Sequence, residues 1–538
     1  MKIKNLPLLS AAIAFAVSFA GQTAAAQTID NEDVRLSCTS IMVGKKASAD
    51  GSVITSHTCD GNYRNWMDIV KGHDYGHDTT AIVVKGRMHT DHSTGERGMK
   101  TVGEVPVGGK TYSFLNTAYP CLNERQLGIG ETTIGGRKEL ENKKGMFLIE
   151  ELERLALQHC VTAREAIRFM GNLAETYGYG DSGECLTVAD PKEVWQFEIF
   201  GAGPDTLGAV WAAVRIPDDH VGVSANISRI SELDLSRPDW YMASDNVKDV
   251  ARKMGFWDGQ EPFKFWKAYS GTNYFNEPKA YSVRELFILN KIAPSLGLHD
   301  GLEELPLSVK PENRLSVEDV IELLAETYEG TDLDMTRNLK IRVKGKDGQM
   351  ETVTSPVANP WMSGDMIKLL NAIKDSTVVN VRNVSVPQCA YSTVIQLRDW
   401  LPDDVGGVAW ISLDNPGQSP RIPVFAGVTD LPDSWKIDGQ LRYDENAAVW
   451  NFRRANKLAT VRWGQTKDEM TAARRRFIEK GNREMPFVTD QYSKILKEEG
   501  SDKARQYLTD YTADFAGAAS EKWRELGNRY WSRFARGF

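Results

Sequence analysis

The order in which hydrophobic periodicity changes along the chain restricts its fold most. From Thr39 to about Gly136 the apolar residues come in short β-branched runs, Ile41-Met42-Val43 and Ser52-Val53-Ile54-Thr55, around an Asp50-Gly51 hairpin signal. Thr80–Lys85 and Thr111–Asn116 read as further strands. The period then changes. Met146, Leu148, Ile149, Leu152, Leu155 and Ala156 share one face of a helix over Lys144–Leu157, and Ala163–Leu173 continues as a second helix. Strands return as a hairpin, Glu184–Asp190 and Glu193–Phe200, and as His220–Ile227. Val283–Leu296 and Val317–Thr327 are helical, Val394–Arg398, Val408–Leu413 and Val424–Gly427 extended, and Glu445–Phe538 mostly helical and rich in Arg, Lys and Glu. Blocks of strands and helices without a βαβ rhythm predict an α+β fold with antiparallel sheets, not a doubly wound parallel sheet. No repeat and no Pro/Ser/Gly linker appears, so one large domain over 38–440 is expected, with a helical extension over 441–538.

The front of the chain has its own logic. Lys2 and Lys4 precede the uncharged run Leu6–Ala20, and Ala24-Ala25-Ala26 follows. A basic start, an apolar stretch and an Ala-x-Ala site predict a secretory signal over 1–26. The run falls short of the ~20 residues of a spanning helix. Export to the periplasm or medium is expected, with no membrane span left after signal removal. Arg35 stands three before Cys38, where lipidation would need an aliphatic residue. Gln27–Ser37 is polar and charged, without strand or helix pattern, and reads as a pro-segment. A net charge of −8 excludes a basic nucleic-acid footprint. Six cysteines in 538 residues are too few for a disulfide scaffold.

Several tempting motifs have duller readings. Gly180-Asp181-Ser182-Gly183 matches a serine-protease nucleophile segment, but no partner His segment accompanies it, so it reads as a loop. His73 with His77 and His89 with His92 have zinc-like spacing, yet Gly72, Gly76 and the interspersed Asp residues break any helix that would present both. Gly128-Ile129-Gly130 lacks the Gly-Lys-[Ser/Thr] ending of a phosphate loop and reads as close backbone packing or a site-lining turn. No metal or organic cofactor is implied.

Cys38 stands apart, at the start of a predicted hairpin directly behind the pro-segment. Cleaving Ser37–Cys38 would place a free α-amine, with a pKa of about 7.7–8.0, beside the thiol. One residue would then hold nucleophile and general base. Exported cysteines also oxidise, and local sequence supports a half-cystine equally.

The stretch Cys38-Thr39-Ser40-Ile41-Met42-Val43-Gly44 through Asp50-Gly51-Ser52 resembles the start of the dipeptidase A family of cysteine peptidases. These belong to the N-terminal-nucleophile hydrolases, akin to secernins and more distantly to penicillin V acylases and bile salt hydrolases. Leu122-Asn123-Glu124 with Gly128–Thr133, Ala189–Trp195, Val223–Asn226, Tyr281–Arg284, Gly406–Trp410 and Ala448–Arg453 match in the same order. The resemblance implies a four-layer αββα fold, an exported dipeptidase acting on small peptides, and autoproteolytic exposure of Cys38. It implies Cys38 as nucleophile, Asp60 beside its amine, Asn226 as an oxyanion donor, and Arg284 near the thiol or on a substrate carboxylate. Thr133 and His57 align with oxyanion or substrate positions; His57 stands where the family often has Arg, which alters charge and fork geometry. An acylase cutting N-acyl amides and a non-catalytic secernin-like protein are the alternatives, and a homo-oligomer is compatible with all three. Cys59 is either a partner for Cys121 or a buried filler. With Cys160, Cys185 and Cys389 these make five cysteines, so one stays unpaired if all bridges are internal.

Overall fold

The structure is a computed structural model, and it describes residues 38–76, 79–88, 98–271 and 279–536. The expected signal and pro-segment, with His77, His89 and His92, lie outside the described residues.

The β-branched runs assemble into two large antiparallel sheets. One has seven strands, in the order Ser308–Val309, Val221–Ser224, Ser40–Val43, Val53–Asp60, Cys389–Leu397, Val408–Leu413 and Ile422–Phe425. The other has eight: Tyr241–Ala243, Ala209–Arg215, Val194–Gly201, Glu184–Ala189, Gly128–Thr133, Leu122–Asn123, Phe114–Asn116 and Asp68–Val70. Ser40 pairs with Ser224 and Val43 with Ile54, so Ser40–Val43 runs between two neighbours with Cys38 just before it.

The Val53–Asp60 strand packs on Gly128–Thr133 and Glu184–Ala189 of the facing sheet. All three are buried along their whole length. Small residues let the sheets approach closely: Thr55 Oγ1 lies 2.6 Å from Thr187 Oγ1, and Thr132 Oγ1 lies 2.6 Å from Ser224 Oγ. Gly130 is required there, because a Cβ would run into the Ser56 carbonyl oxygen and Thr187 Oγ1. Gly130→Ala should therefore cost roughly 1–3 kcal/mol, read as a lower melting temperature. Gly517→Ala, where a Cβ meets nothing within 4 Å in the helix Ser501–Phe534, should be neutral or slightly stabilising.

Helices Ile149–His159 and Ala163–Tyr177 pack against the eight-stranded sheet. Val283–Ile292, Val317–Leu324, Ala448–Thr460 and the long pair Trp463–Glu499 and Ser501–Phe534 pack against the seven-stranded one. The α+β class and the helical C-terminal region are as the sequence reads. The tail is not set apart: residues from 38 onward form one compact unit. Thr512 Oγ1 donates to the Pro423 carbonyl (3.0 Å), joining the last helix to the body, and Trp523 Nε1 donates to Asn456 Oδ1 (3.1 Å) within the helical region. Among the described residues no helix is long and apolar enough to cross a membrane.

Some boundaries differ for physical reasons. The first helix starts at Ile149, not Lys144, because the Met146 and Phe147 N–H groups bond to the carbonyls of Tyr177 and Gly178. The helix from Val283 stops at Ile292, ahead of Pro294. The Val221–Ser224 strand ends early because Asn226 takes a left-handed φ of 66°. The Gly128–Thr133 segment is a strand, not a turn; its close packing is as expected.

Candidate active site

The first described residues are held from two sides. Thr39 N–H donates to Thr58 Oγ1 (2.9 Å) and Thr58 N–H donates to the Thr39 carbonyl (3.0 Å), tying the start of the body to the Val53–Asp60 strand. On the other side lies Arg284, in the first turn of a helix begun by a Ser282/Glu285 capping box. Its Nη1 donates to the Cys38 carbonyl (2.6 Å) and Thr39 Oγ1 (3.0 Å). Its Nη2 donates to the Ala225 carbonyl (3.0 Å) and Asn226 Oδ1 (2.9 Å). Glu285 accepts the Ala225 N–H at 2.9 Å, so one helix turn fixes the Ala225-Asn226 corner through two side chains.

That corner orients the Asn226 amide. Its oxygen is engaged by Arg284 and its Nδ2 donates to the Thr133 carbonyl at 2.7 Å, which leaves one amide hydrogen. Asp60 joins through Thr58, whose hydroxyl donates to Asp60 Oδ2 at 2.8 Å while accepting from Thr39. Arg382 donates to Asp60 Oδ2 at 2.7 Å, and Asp60 Oδ1 is buried without a hydrogen-bond partner. The Cys389 thiol close to it donates instead to the Tyr391 carbonyl (3.1 Å).

Electrostatics keep the unprocessed thiol neutral. Burial pushes the Cys38 pKa well up, and Glu131, Cys59 and Asp60 add to the rise. Burial also brings Arg284 down to about 10, with Arg382 contributing. Burial raises both Glu131 and Glu184, and the charge of Glu131 adds to the rise at Glu184; the Thr133 hydroxyl donates to Glu131 Oε1 at 3.1 Å.

Of the residues singled out from sequence, Cys38, Asp60, Asn226 and Arg284 converge here. Thr133 contributes its carbonyl to Asn226 and its hydroxyl to Glu131. His57 is buried between Tyr119 and Tyr391, with ring centroids 5.6 Å away on both sides. Burial lowers its pKa to about 4, so the ring is neutral at pH 7. Its Nδ1 lies 2.6 Å from the Glu131 carbonyl and 3.3 Å from the Glu131 N–H; the shorter contact puts the proton on Nδ1, leaving Nε2 with its lone pair. Sequence reasoning did not assign Glu131 or Arg382. Glu131 is the one charged residue of Gly128–Thr133, and a lone acid in such a strand is the signal that could have found it. No pattern marks Arg382.

Cys38 Sγ, a His57 ring nitrogen and a Glu131 oxygen lie within 4.8 Å of one another, the one such trio of metal-type donors among the described residues. His73 instead packs edge-on against Tyr75, with centroids 4.8 Å apart. Ser182 sits in the loop entering the Glu184–Ala189 strand, as its surroundings suggested. All six cysteines are free and buried, so Cys59 and Cys121 form no bridge with each other. A cavity of about 480 Å³, lined by Asp50, Gln396, Trp400 and Asn482, opens at the far end of the Val53–Asp60 strand, where Gln396 pairs with Ile54, away from Cys38.

The profile of Peptidase family C69 matches residues 37–476, most of the chain. The chain belongs to Peptidase family C69. This C69 peptidase is 25% identical over 506 residues to a "Probable dipeptidase" of Latilactobacillus sakei, covering 88% of the chain and 95% of that relative. It is 21% identical over 442 residues to "Dipeptidase A" of Lactobacillus helveticus, covering 80% of the chain and 82% of the relative. A "Probable dipeptidase" of Salmonella dublin is 25% identical over 410 residues, covering 73% and 82%. The family match begins one residue before Cys38.

Proposed function

We propose that this C69 peptidase is an exported cysteine dipeptidase of the αββα N-terminal-nucleophile type, activated by loss of residues 1–37. The observation that most supports this reading is the Arg284 fork, which bonds both the Cys38 carbonyl and the Asn226 amide oxygen. The names of the relatives, and a family match that starts at residue 37, support it.

Maturation begins when Cys38 Sγ attacks the Ser37 carbonyl carbon. The Ser37–Cys38 C–N bond breaks, a thioester forms, and the thiol proton ends on the released α-amine. Water then splits the thioester, leaving a Ser37 carboxyl and a free thiol. In the mature chain the α-amine takes the thiol proton as Sγ attacks the dipeptide carbonyl. The amine passes the proton to the leaving group, and water resolves the acyl-enzyme. The one amide hydrogen left on Asn226 is available to the tetrahedral oxyanion. Asp60 Oδ1, buried and unpartnered, is the acceptor left for the new ammonium.

Three measurements test the reading together. N-terminal sequencing of the purified protein should return Cys38 first. The trimmed chain should hydrolyse dipeptides, keep its activity in chelator and lose it to a thiol alkylator. A mature chain starting at Gln27, or one that cuts N-acyl amides and no dipeptide, overturns it. Fractionation of the producing cell should find the protein outside the cytoplasm.

Asp60 has a pH signature. Its carboxylate stabilises the ammonium form of the α-amine and raises the amine pKa. The amine is a base only when neutral. Asp60→Asn lowers that pKa, so the acidic limb of the rate profile should move to lower pH; an unmoved limb would reduce Asp60 to a turn residue.

A further inference from the structure

We propose that Cys38, His57 and Glu131 form a binding site for zinc or a similar divalent transition ion, and that filling it shuts the peptidase off. The three donors lie within 4.8 Å of one another, and all are buried. Sulfur, imidazole nitrogen and carboxylate oxygen are the donor set that zinc takes in proteins, whereas calcium and magnesium require all-oxygen shells.

Two buried atoms point to an ion. Glu131 Oε2 has no hydrogen-bond partner and faces His57, 3.7 Å from Nδ1. His57 Nε2 is likewise buried without a partner. Charge balance agrees: a thiolate, one carboxylate and a neutral imidazole around a dication sum to zero, the arrangement a dry interior tolerates. Asp60 is not needed for that balance, because Arg382 already faces it. Glu131, the neighbour that raises the thiol pKa when the site holds no cation, becomes a second anionic ligand when it does.

Binding exchanges the thiol S–H bond for a metal–sulfur bond and releases the proton to solvent. The nucleophile is then occupied. On the reading that the chain matures at Cys38, the freed α-amine is a fourth donor, closing a five-membered ring with its own sulfur. The same ion would then hold both nucleophile and base. The peptidase needs no metal in this scheme; the ion is an inhibitor.

The test uses the full chain and the chain that begins at Cys38, with Co²⁺ as optical probe and Zn²⁺ in competition with a chromophoric chelator. A sulfur-to-cobalt charge-transfer band should appear and vanish in Cys38→Ser. His57→Gln and Glu131→Gln should each weaken zinc by about tenfold or more, since even the loss of an outer partner of a ligand costs 10–100-fold. The Cys38-first chain should bind tighter than the full chain, and zinc should inhibit it reversibly. Absence of the band, or zinc binding that is unchanged in folded His57→Gln, overturns the site. If His57→Gln does not fold, unchanged zinc affinity in Cys38→Ser overturns it instead. Equal affinity in the two chain forms removes the amine from the site. These readouts do not use catalysis: a chain that binds zinc here yet cuts no dipeptide refutes the dipeptidase reading alone, and a zinc-blind dipeptidase refutes the metal site alone.

Discussion

Cys38→Ala is expected to leave the chain untrimmed at residue 38 and without peptidase activity; removing the nucleophile of a serine peptidase costs on the order of 10⁶ in kcat. The expectation follows from how little else near Cys38 can attack a carbonyl. Thr39 Oγ1 accepts from Arg284, the Thr58 hydroxyl donates to Asp60, and the Thr133 hydroxyl donates to Glu131. The thiol itself is held neutral by burial and by Glu131, so it depends on a nearby base to act. Before trimming, the Cys38 nitrogen is a peptide amide and has no basicity to offer. Chain that is still untrimmed should accordingly turn over no dipeptide, and trimming should switch turnover on. Mass spectrometry of Cys38→Ala made without other proteases decides the point. A variant cut cleanly ahead of residue 38 shows that another enzyme does the trimming.

What the sequence made legible, and what it did not, divides along a physical line. Strands such as Glu184–Ala189 and helices such as Ala163–Tyr177 announce themselves because their periodicity is local and their caps are adjacent. Gly128-Ile129-Gly130 reads as close backbone packing or a turn, and not as part of a strand, because its two glycines answer to the facing sheet rather than to the chain beside them. The site divides in the same way. Asn226 was legible both as a strand end and as a donor, and it is both: the left-handed φ that ends the strand also sets its side chain between Arg284 and Thr133. Arg382 was not legible, because its importance comes from a contact with Asp60 across 322 positions. It brings a guanidinium to Asp60, three residues beyond His57 on the same strand. Glu131 was passed over because its neighbours matched a family segment, and its chemistry emerges only once the His57 ring lies against it.

Asn226→Ala should lower kcat by roughly 10²–10³ with KM little changed, the signature of a donor that strengthens its bond in the transition state. The variant alone is ambiguous, because it alters two things. Asn tolerates φ near 66°, whereas alanine there costs roughly 1–2 kcal/mol and is free to pull the Ala225-Asn226 corner out of place. It also leaves Arg284 one acceptor short and the Thr133 carbonyl without its donor. Asn226→Gly separates these effects, since glycine holds the left-handed backbone at no steric cost but supplies no amide. If the amide is what matters, Gly and Ala should lose kcat almost equally, while Ala, strained at this φ, lowers the melting temperature further than Gly. If the corner's shape is what matters, Gly should restore most of the rate. Asn226→Asp adds the sign of the charge: it keeps the Arg284 contact, loses the N–H to Thr133, and places an anion where the oxyanion must form. It should be at least as slow as Ala. A fast Asp variant would show that Asn226 serves the fold of the corner and that the oxyanion is stabilised elsewhere.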